Sequence, residues 1–304
     1  MGLIRTKVFP PDGLDLEPAV DEVGPFPRRD FVQAWWEELS PDGELVLASS
    51  DQSALVLVES SGRIEFAGDS DLTDYHSPLG TDAASACTEL AGYLRTGQHI
   101  CLDSLPAEGA KMMHEGLAGI GLAPETVESD VAMVLELPAT IDGFYQMIGK
   151  KERHELRRKR RRYESAVGTV VHRTFNGPGF GIDEFVRLHR RAGGRKGLFM
   201  TPPRSAFFKR LATQTGWRVD LLEKEGIATA CMFGWVDARG YYLYNSSFEP
   251  DLQSASPGLV LLALMIEAAI DAGIRTLDFL KGDEGYKSRL GARPRQLYKV
   301  EAQV

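Results

Sequence analysis

Two stretches of this chain each place three short apolar runs in succession, and that pattern limits the fold more than any other feature. The first set covers 45–49, 54–59 and 63–67, split by SSDQS and SSG; the second covers 219–222, 227–235 and 241–245, split by KEG and DARG. Apolar runs this short, separated by turn residues, form antiparallel meanders. Helical periodicity surrounds both sets. Ahead of the first, Phe31, Trp35 and Leu39 recur every four residues on one face of a helix capped by Asp30. After it come a helix at 82–95, a strand at 99–102, a helix at 108–120 and an alternating strand at 131–137. The second half has helices at 183–191 and 203–215, its meander, a long helix at 257–272 ending at Gly273, a strand at 276–279, a short helix at 284–290 and a strand at 296–300. Helix, meander, helix, strand, helix, strand thus occurs twice, as a structural duplication would produce. The fold class expected is α/β with mixed sheets, in domains at 1–140 and 167–304 joined by a helix at 141–166.

Charge divides the chain at the same place. Of the 304 residues, 35 are Lys or Arg and 43 are Asp or Glu. Residues 1–149 hold 7 basic and 26 acidic residues, a net of −19, and residues 150–304 hold 28 and 17, a net of +11. Such asymmetry assigns the halves different electrostatic work. At 43% hydrophobic and 26% charged, the composition excludes disorder and a disulfide scaffold. Cys87, Cys101 and Cys231 share no CxxC spacing and sit in apolar surroundings, as buried thiols of a reducing compartment do. The N-terminus lacks the apolar core of a secretory signal, and the longest apolar run, 259–266, is far too short to span a bilayer, so a cytoplasmic location without membrane contact is expected. The six histidines show no HxH or HxxxH spacing, so no metal is expected.

Three segments can carry chemistry. KKERHELRRKRRR, 150–162, has nine basic and two acidic residues. Its exposed guanidinium groups, Arg157, Arg158 and Arg161 foremost, suit phosphate or another anion, and a solvated helix face is the alternative. The second segment is FEPDLQSASPG, where Ser256 as N-cap and Pro257 at the first turn start the long helix; free amides at such a start can hold phosphate. No GxxxxGK[ST] loop is present, and NGPGFG at 176–181 is not expected to have the strand-loop-helix setting of a dinucleotide fingerprint. The third segment is LDFLKGDEGYKSRLGA, where Asp278, Asp283 and Glu284 gather beside Tyr286, Lys287 and Arg289 and can supply a general base; the alternative has Asp278 capping a turn.

This order of elements resembles the GNAT acetyltransferase fold, and the second half resembles the CelD/BcsL-type branch of that superfamily, related to the Fem peptidyl transferases. The carrying motifs are KKERHELRRKRRRYE, SPG before the long helix, and DFLKGDEGYKSRLGA; GDSDLTDYHSPLG and the WW pair at Trp35 and Trp36 are similar to the family's first half. The resemblance implies tandem GNAT-like domains facing a shared cleft, the first degenerate and the second catalytic. It implies acetyl-CoA or another acyl-CoA as co-substrate, its pyrophosphate at Gln253, Ser254, Ala255, Ser256 and Gly258. That loop departs from the Q/RxxGxG/A pattern, because Pro257 removes a donor. Backbone amides at Ser246 and Ser247 would hold the thioester oxygen, and Asp278, Asp283 or Glu284 would accept the proton. Tyr286 or Tyr244 would protonate the thiolate. Lys287, Arg289, Arg157, Arg158 and Arg161 would position an acceptor: an amine or hydroxyl of a saccharide or nucleotide-activated sugar. Aminoacyl-tRNA as donor, and a non-catalytic anion- or nucleic-acid-binding protein, are the alternatives; a homodimer is left open.

Overall fold

The computed structural model describes residues 2–10 and 14–304 and divides into two compact units, 1–132 with 295–304, and 133–294. Part of the Pro/Gly/Asp-rich opening stretch, 11–13, lies outside the described residues. In the first unit, β1 (Leu3–Thr6) is followed by α1 (Arg29–Leu39) and by the meander β2 (Glu44–Ser49), β3 (Ser53–Ser60) and β4 (Arg63–Phe66). Ser61 and Gly62 both have positive φ, the backbone of a two-residue type I′ hairpin. Short β5 (Leu79–Gly80) precedes α2 (Ala83–Ala91), β6 (His99–Pro106) and α3 (Ala107–Gly119). Leu55, Leu57, Ile64, Ile100 and Leu102 bury against Cys87, Leu90, Met113 and Leu117 of α2 and α3. Strand β7 (Glu125–Glu136) crosses from one unit to the other.

The second unit begins with α4 (Ile141–Met147) and α5 (Lys150–Ala166). The single helix expected over 141–166 is broken, because Ile148 and Gly149 adopt extended backbone, ψ 149° and 151°. Then come β8 (Val171–Asn176), α6 (Phe180–Arg191), α7 (Gly194–Phe199), α8 (Pro202–Ala212), β9 (Trp217–Lys224), β10 (Ile227–Val236) and β11 (Gly240–Phe248). A 3-10 turn, Pro250–Ala255, leads into α9 (Pro257–Asp271), followed by β12 (Thr276–Lys281), α10 (Gly285–Arg289) and β13 (Arg293–Gln303). Residues 297–303 of β13 pair antiparallel with β6, so the chain's end returns to the first unit. The contiguous split at 167–304 does not include that return.

Strands β8, β9, β10 and β11 run antiparallel in that order, and β12 lies parallel beside β11. Side chains alternate across this sheet. Phe233 of β10 meets Phe185 of α6 and Phe208 of α8 on one face, while Met232 turns to the side of α9. Helix α9 buries Val260, Leu261, Leu262, Met265 and Ile266, each contributing about 1.5–3 kcal/mol. Strand β8 has no apolar stripe to reveal it. His172 Nε2 and Thr174 Oγ1 instead point to the fully buried Asp220 carboxylate, 2.8 and 2.7 Å away, which also accepts from Arg218 Nε and Tyr241 Oη, each at 3.0 Å. Burial pushes that carboxyl up, but the His172 hydrogen bond and the Arg218 charge outweigh it and hold Asp220 below the usual carboxylate range.

Candidate active site

The site grows from a divergence of two strands. Parallel pairing of β11 with β12 covers three positions, Gly240 with Thr276, Tyr241 with Leu277 and Tyr242 with Asp278. Beyond Tyr242 the chain of β11 runs on to Phe248 beside β10 alone. A bulge helps to part them: Phe233 pairs with Asn245 and Gly234 with Leu243, so Tyr244 is an extra residue that bends β11. Gly234 is where Tyr241 crosses, since a Cβ there would lie 2.4 Å from its ring.

Next to the parted strands lies a cavity of about 300 Å³ whose wall includes Met232, Leu243, Phe248, Gly258 and Leu262. Its polar wall comes from Lys159, Lys196, Ser246, Tyr286 and Arg289. No carboxylate is among these lining residues. The cavity therefore offers apolar surface for a chain, cations for anions, and a phenol, and it joins residues of α5, α7, β10, β11, α9 and α10.

At one end is the start of α9. Ser256 has left-handed backbone, φ 57°, and its side chain makes no capping hydrogen bond, unlike the N-cap expected of it. Its Oγ accepts instead from Lys159 Nζ at 3.1 Å. Pro257 is buried, Gly258 reaches the cavity wall, Ala255 is buried, and Gln253 and Ser254 are exposed on the preceding turn.

At the other end is the turn after β12. Asp278 is 2% exposed, and its Oδ1 accepts from the Leu280 amide at 2.7 Å, closing a turn in which Leu280 has φ 60°. Lys287 is also buried. Its ammonium donates to the carbonyls of Phe279, Lys281 and Gly282 at 3.2, 3.1 and 2.9 Å and meets Glu284 at 2.8 Å. Expected to grip an acceptor, Lys287 is consumed in holding this turn. Burial pushes the Glu284 carboxyl up, yet the Lys287 hydrogen bond more than offsets it and leaves Glu284 more acidic than usual. Asp283 is exposed. The three carboxylates thus gather in sequence but not in the cavity. Tyr286 does reach it, its ring edge-on to Phe279, and burial followed by the Glu284 charge pushes its phenol up to about 12.

Ser246 and Ser247 sit beyond the bulge. The Ser246 amide already donates to Asn245 Oδ1 at 2.8 Å, and Ser247 Oγ donates to the Leu188 carbonyl at 3.2 Å. The pair of free amides expected there is therefore reduced by the Ser246 bond. Asn245 Oδ1 also lies 2.8 Å from Nε2 of His189, which is fully buried and pushed down to about 4 by desolvation. Tyr244 packs among Phe208, Trp217 and Phe233, away from the cavity lining.

Helix α5 presents two faces. Glu152, Leu156 and Tyr163 are its buried residues, and Lys159 falls on the same stripe with its side chain 23% exposed. The stripe spacing of four, three and four residues keeps one face. Glu152 meets Arg289 at 3.5 Å, Lys159 meets Ser256, and Tyr163 Oη lies 2.7 Å from Thr229 Oγ1. Arg157, Arg158 and Arg161 are exposed; Arg158 pairs with Glu155 and Arg157 lies over the Tyr145 ring. The inward residues, Glu152 and Lys159, were missed because only their spacing from Leu156 and Tyr163 distinguishes them within a run of charge. Among the described residues no group of His, Cys, Asp and Glu could hold a metal ion, and no helix is long and apolar enough to cross a membrane.

Comparison with known proteins agrees with this geometry. No curated protein matches. The structure of L-PGS from Bacillus licheniformis superposes with a TM-score of 0.63 at 13% identity, covering 92% of this chain and 93% of that one. A conserved protein of unknown function from Bacteroides thetaiotaomicron gives 0.62 at 11%, covering 90% of each. FemX gives 0.59 at 10%, covering 93% and 92%. At such identities these likenesses establish a shared fold. Residues 150–288, from the first residue of α5 to Ser288 in α10, match the family model described as an acetyltransferase (GNAT) domain, so the parted strands, the α9 start and the inward face of α5 all lie within the matched residues.

Proposed function

We propose that the protein is an acyltransferase that moves an acetyl or other acyl group from acyl-CoA to an amine or hydroxyl. The observation that carries this reading is the parting of β11 and β12 beside the start of α9, with a part-apolar cavity lined by β11 and α9 next to them and residues 150–288 matching an acetyltransferase domain. The pantetheine arm and acyl group have Met232, Leu243 and Leu262 to lie against, and the diphosphate has the α9 start and its lysine. In the reaction the acceptor nitrogen or oxygen attacks the thioester carbon, the C–S bond breaks, and the sulfur leaves as a thiolate. Tyr286, still protonated at neutral pH, gives its proton to that sulfur. With no carboxylate in the lining, the acceptor's proton leaves through water, and the rate rests on holding the partners together. Arg289, steadied by Glu152, meets a phosphate or carboxylate on the acceptor. A saccharide or nucleotide-activated sugar is the acceptor class that the CelD/BcsL-type resemblance favours.

The test is acetyl-CoA binding by calorimetry and thermal shift, followed by thiol release in the presence of amino sugars and nucleotide sugars. A dissociation constant in the micromolar range with a raised melting temperature is expected. Absence of both at millimolar acetyl-CoA sinks the acyl-CoA reading. The outward arginines of α5 favour aminoacyl-tRNA as the second donor to try, and salt-sensitive copurifying RNA would point to it.

A further inference from the structure

We infer that Lys159 is a positioning residue for the diphosphate of the acyl donor, so that α5, which precedes the first strand of the acetyltransferase sheet, completes the donor site. This rests on the acyl-CoA reading above. Lys159 stands apart from the outward cations of its helix in three ways. Its side chain is 23% exposed, against 55% for Arg158 and 48% for Arg160. It lines the cavity, where no other cation of α5 reaches. Its Nζ lies 3.1 Å from Ser256 Oγ at the start of α9 and 3.7 Å from Glu155 Oε1.

The need for it follows from the loop. Pro257 has no N–H, Ser256 has left-handed backbone and no cap of its own, and Gly258 is the one glycine at the helix start, so the loop offers fewer donors than a glycine-rich one. An ammonium at 3 Å supplies the missing attraction as a compact point charge, and its hydrogen bond to Ser256 puts it in place before the ligand arrives. Glu155 lies beside the ammonium at 3.7 Å, and a proton given to neither Glu155 nor Ser256 is left for a phosphate oxygen.

The experiment compares wild type, Lys159→Met and Lys159→Arg with the outward double variant Arg157→Ala/Arg161→Ala, each checked for an unchanged melting temperature. Dissociation constants are measured for acetyl-CoA, for 3′-phosphoadenosine diphosphate and for S-acetylpantetheine, which lacks the diphosphate. Lys159→Met is expected to weaken the first two at least tenfold and leave the third unchanged; Lys159→Arg recovers part of the loss, and KM for acetyl-CoA rises while kcat holds. The outward variant binds like wild type. If wild type binds no acetyl-CoA, the parent reading fails. If wild type binds and Lys159→Met binds equally well, or loses S-acetylpantetheine in equal measure, the role of Lys159 is overturned. Should Lys159→Met lower the melting temperature, Lys159→Gln, which keeps a donor toward Ser256 and removes the charge, is measured in its place, and acetyl-CoA binding within threefold of wild type overturns the role.

Discussion

In the first unit the helix after the meander, α2, starts at Asp82, whose carboxylate accepts from the Ser85 amide at 3.1 Å and from the Ser85 hydroxyl. In the second unit α9 starts at Ser256, which caps nothing, and a lysine stands beside it. Each meander has one two-residue turn of positive-φ residues, Ser61 with Gly62 between β3 and β4 and Glu225 with Gly226 between β9 and β10, and each meander lies ahead of its helix. They differ in what satisfies the helix amides. A carboxylate of the chain itself occupies the place that a ligand anion would take and repels that anion, while an uncapped start with a nearby ammonium attracts it. The −19 and +11 halves thus differ in the charge beside these two helix starts, a carboxylate at α2 and an ammonium at α9.

The largest effects that would test this contrast are on stability. Gly80 precedes α2 with φ 80°, and a Cβ there would fall within 1.9 Å of the Gln52 carbonyl oxygen, so Gly80→Ala is expected to cost about 3 kcal/mol or more in urea unfolding. Gly258→Ala, whose Cβ meets Phe248 at 3.4 Å, should leave stability within about 0.5 kcal/mol and weaken acetyl-CoA binding. Equal losses would erase the distinction between a built turn and a ligand site. Lys287→Met leaves the carbonyls of Phe279, Lys281 and Gly282 without their donor and should also cost about 3 kcal/mol; a stable variant with raised acceptor KM would restore Lys287 as an acceptor residue.

Acid should loosen the second unit. His189 is neutral when folded because burial lowers it from 6.5 to about 4, so the unfolded chain takes up a proton that the folded one does not as pH falls between those values. The stability it contributes is present above pH 6.5 and is lost on the way down to pH 4, a swing of about 3 kcal/mol that His189→Gln should abolish. A variant with the same pH slope as wild type would disprove it. The smallest effects belong to the caps. Asp82→Ala is expected to cost about 1 kcal/mol and Ser256→Ala only a few tenths, measured by chemical unfolding. A larger loss at Ser256 would mean that both helices start the same way.

The order of elements was legible because period-2 and period-3.6 burial follows from the chain's own geometry. The apolar runs of both meanders, the long α9 and the break in charge all come from local composition. Strand β8 was not legible, since its inward residues are His172 and Thr174 and their reason for being inward is Asp220, 46 residues further on from Thr174. Nor was the bulge at Tyr244, which depends on how β10 pairs with β11. Asp278, Asp283 and Glu284 are neighbours in sequence but do not meet in the cavity, because the turn after β12 separates their side chains. Asp278 turns into the strand end, and Lys287 spends its donors on three carbonyls.

By itself the sequence determined the helix and strand order, the uneven charge and the presence of a densely basic helix. Which of that helix's cations serves the site was decided by tertiary structure alone. Arg158 and Lys159 are adjacent and chemically alike, but about 100° of rotation separates them on the helix. Only the burial of Leu156 and Tyr163 within the second unit sets which of the two turns inward to Ser256.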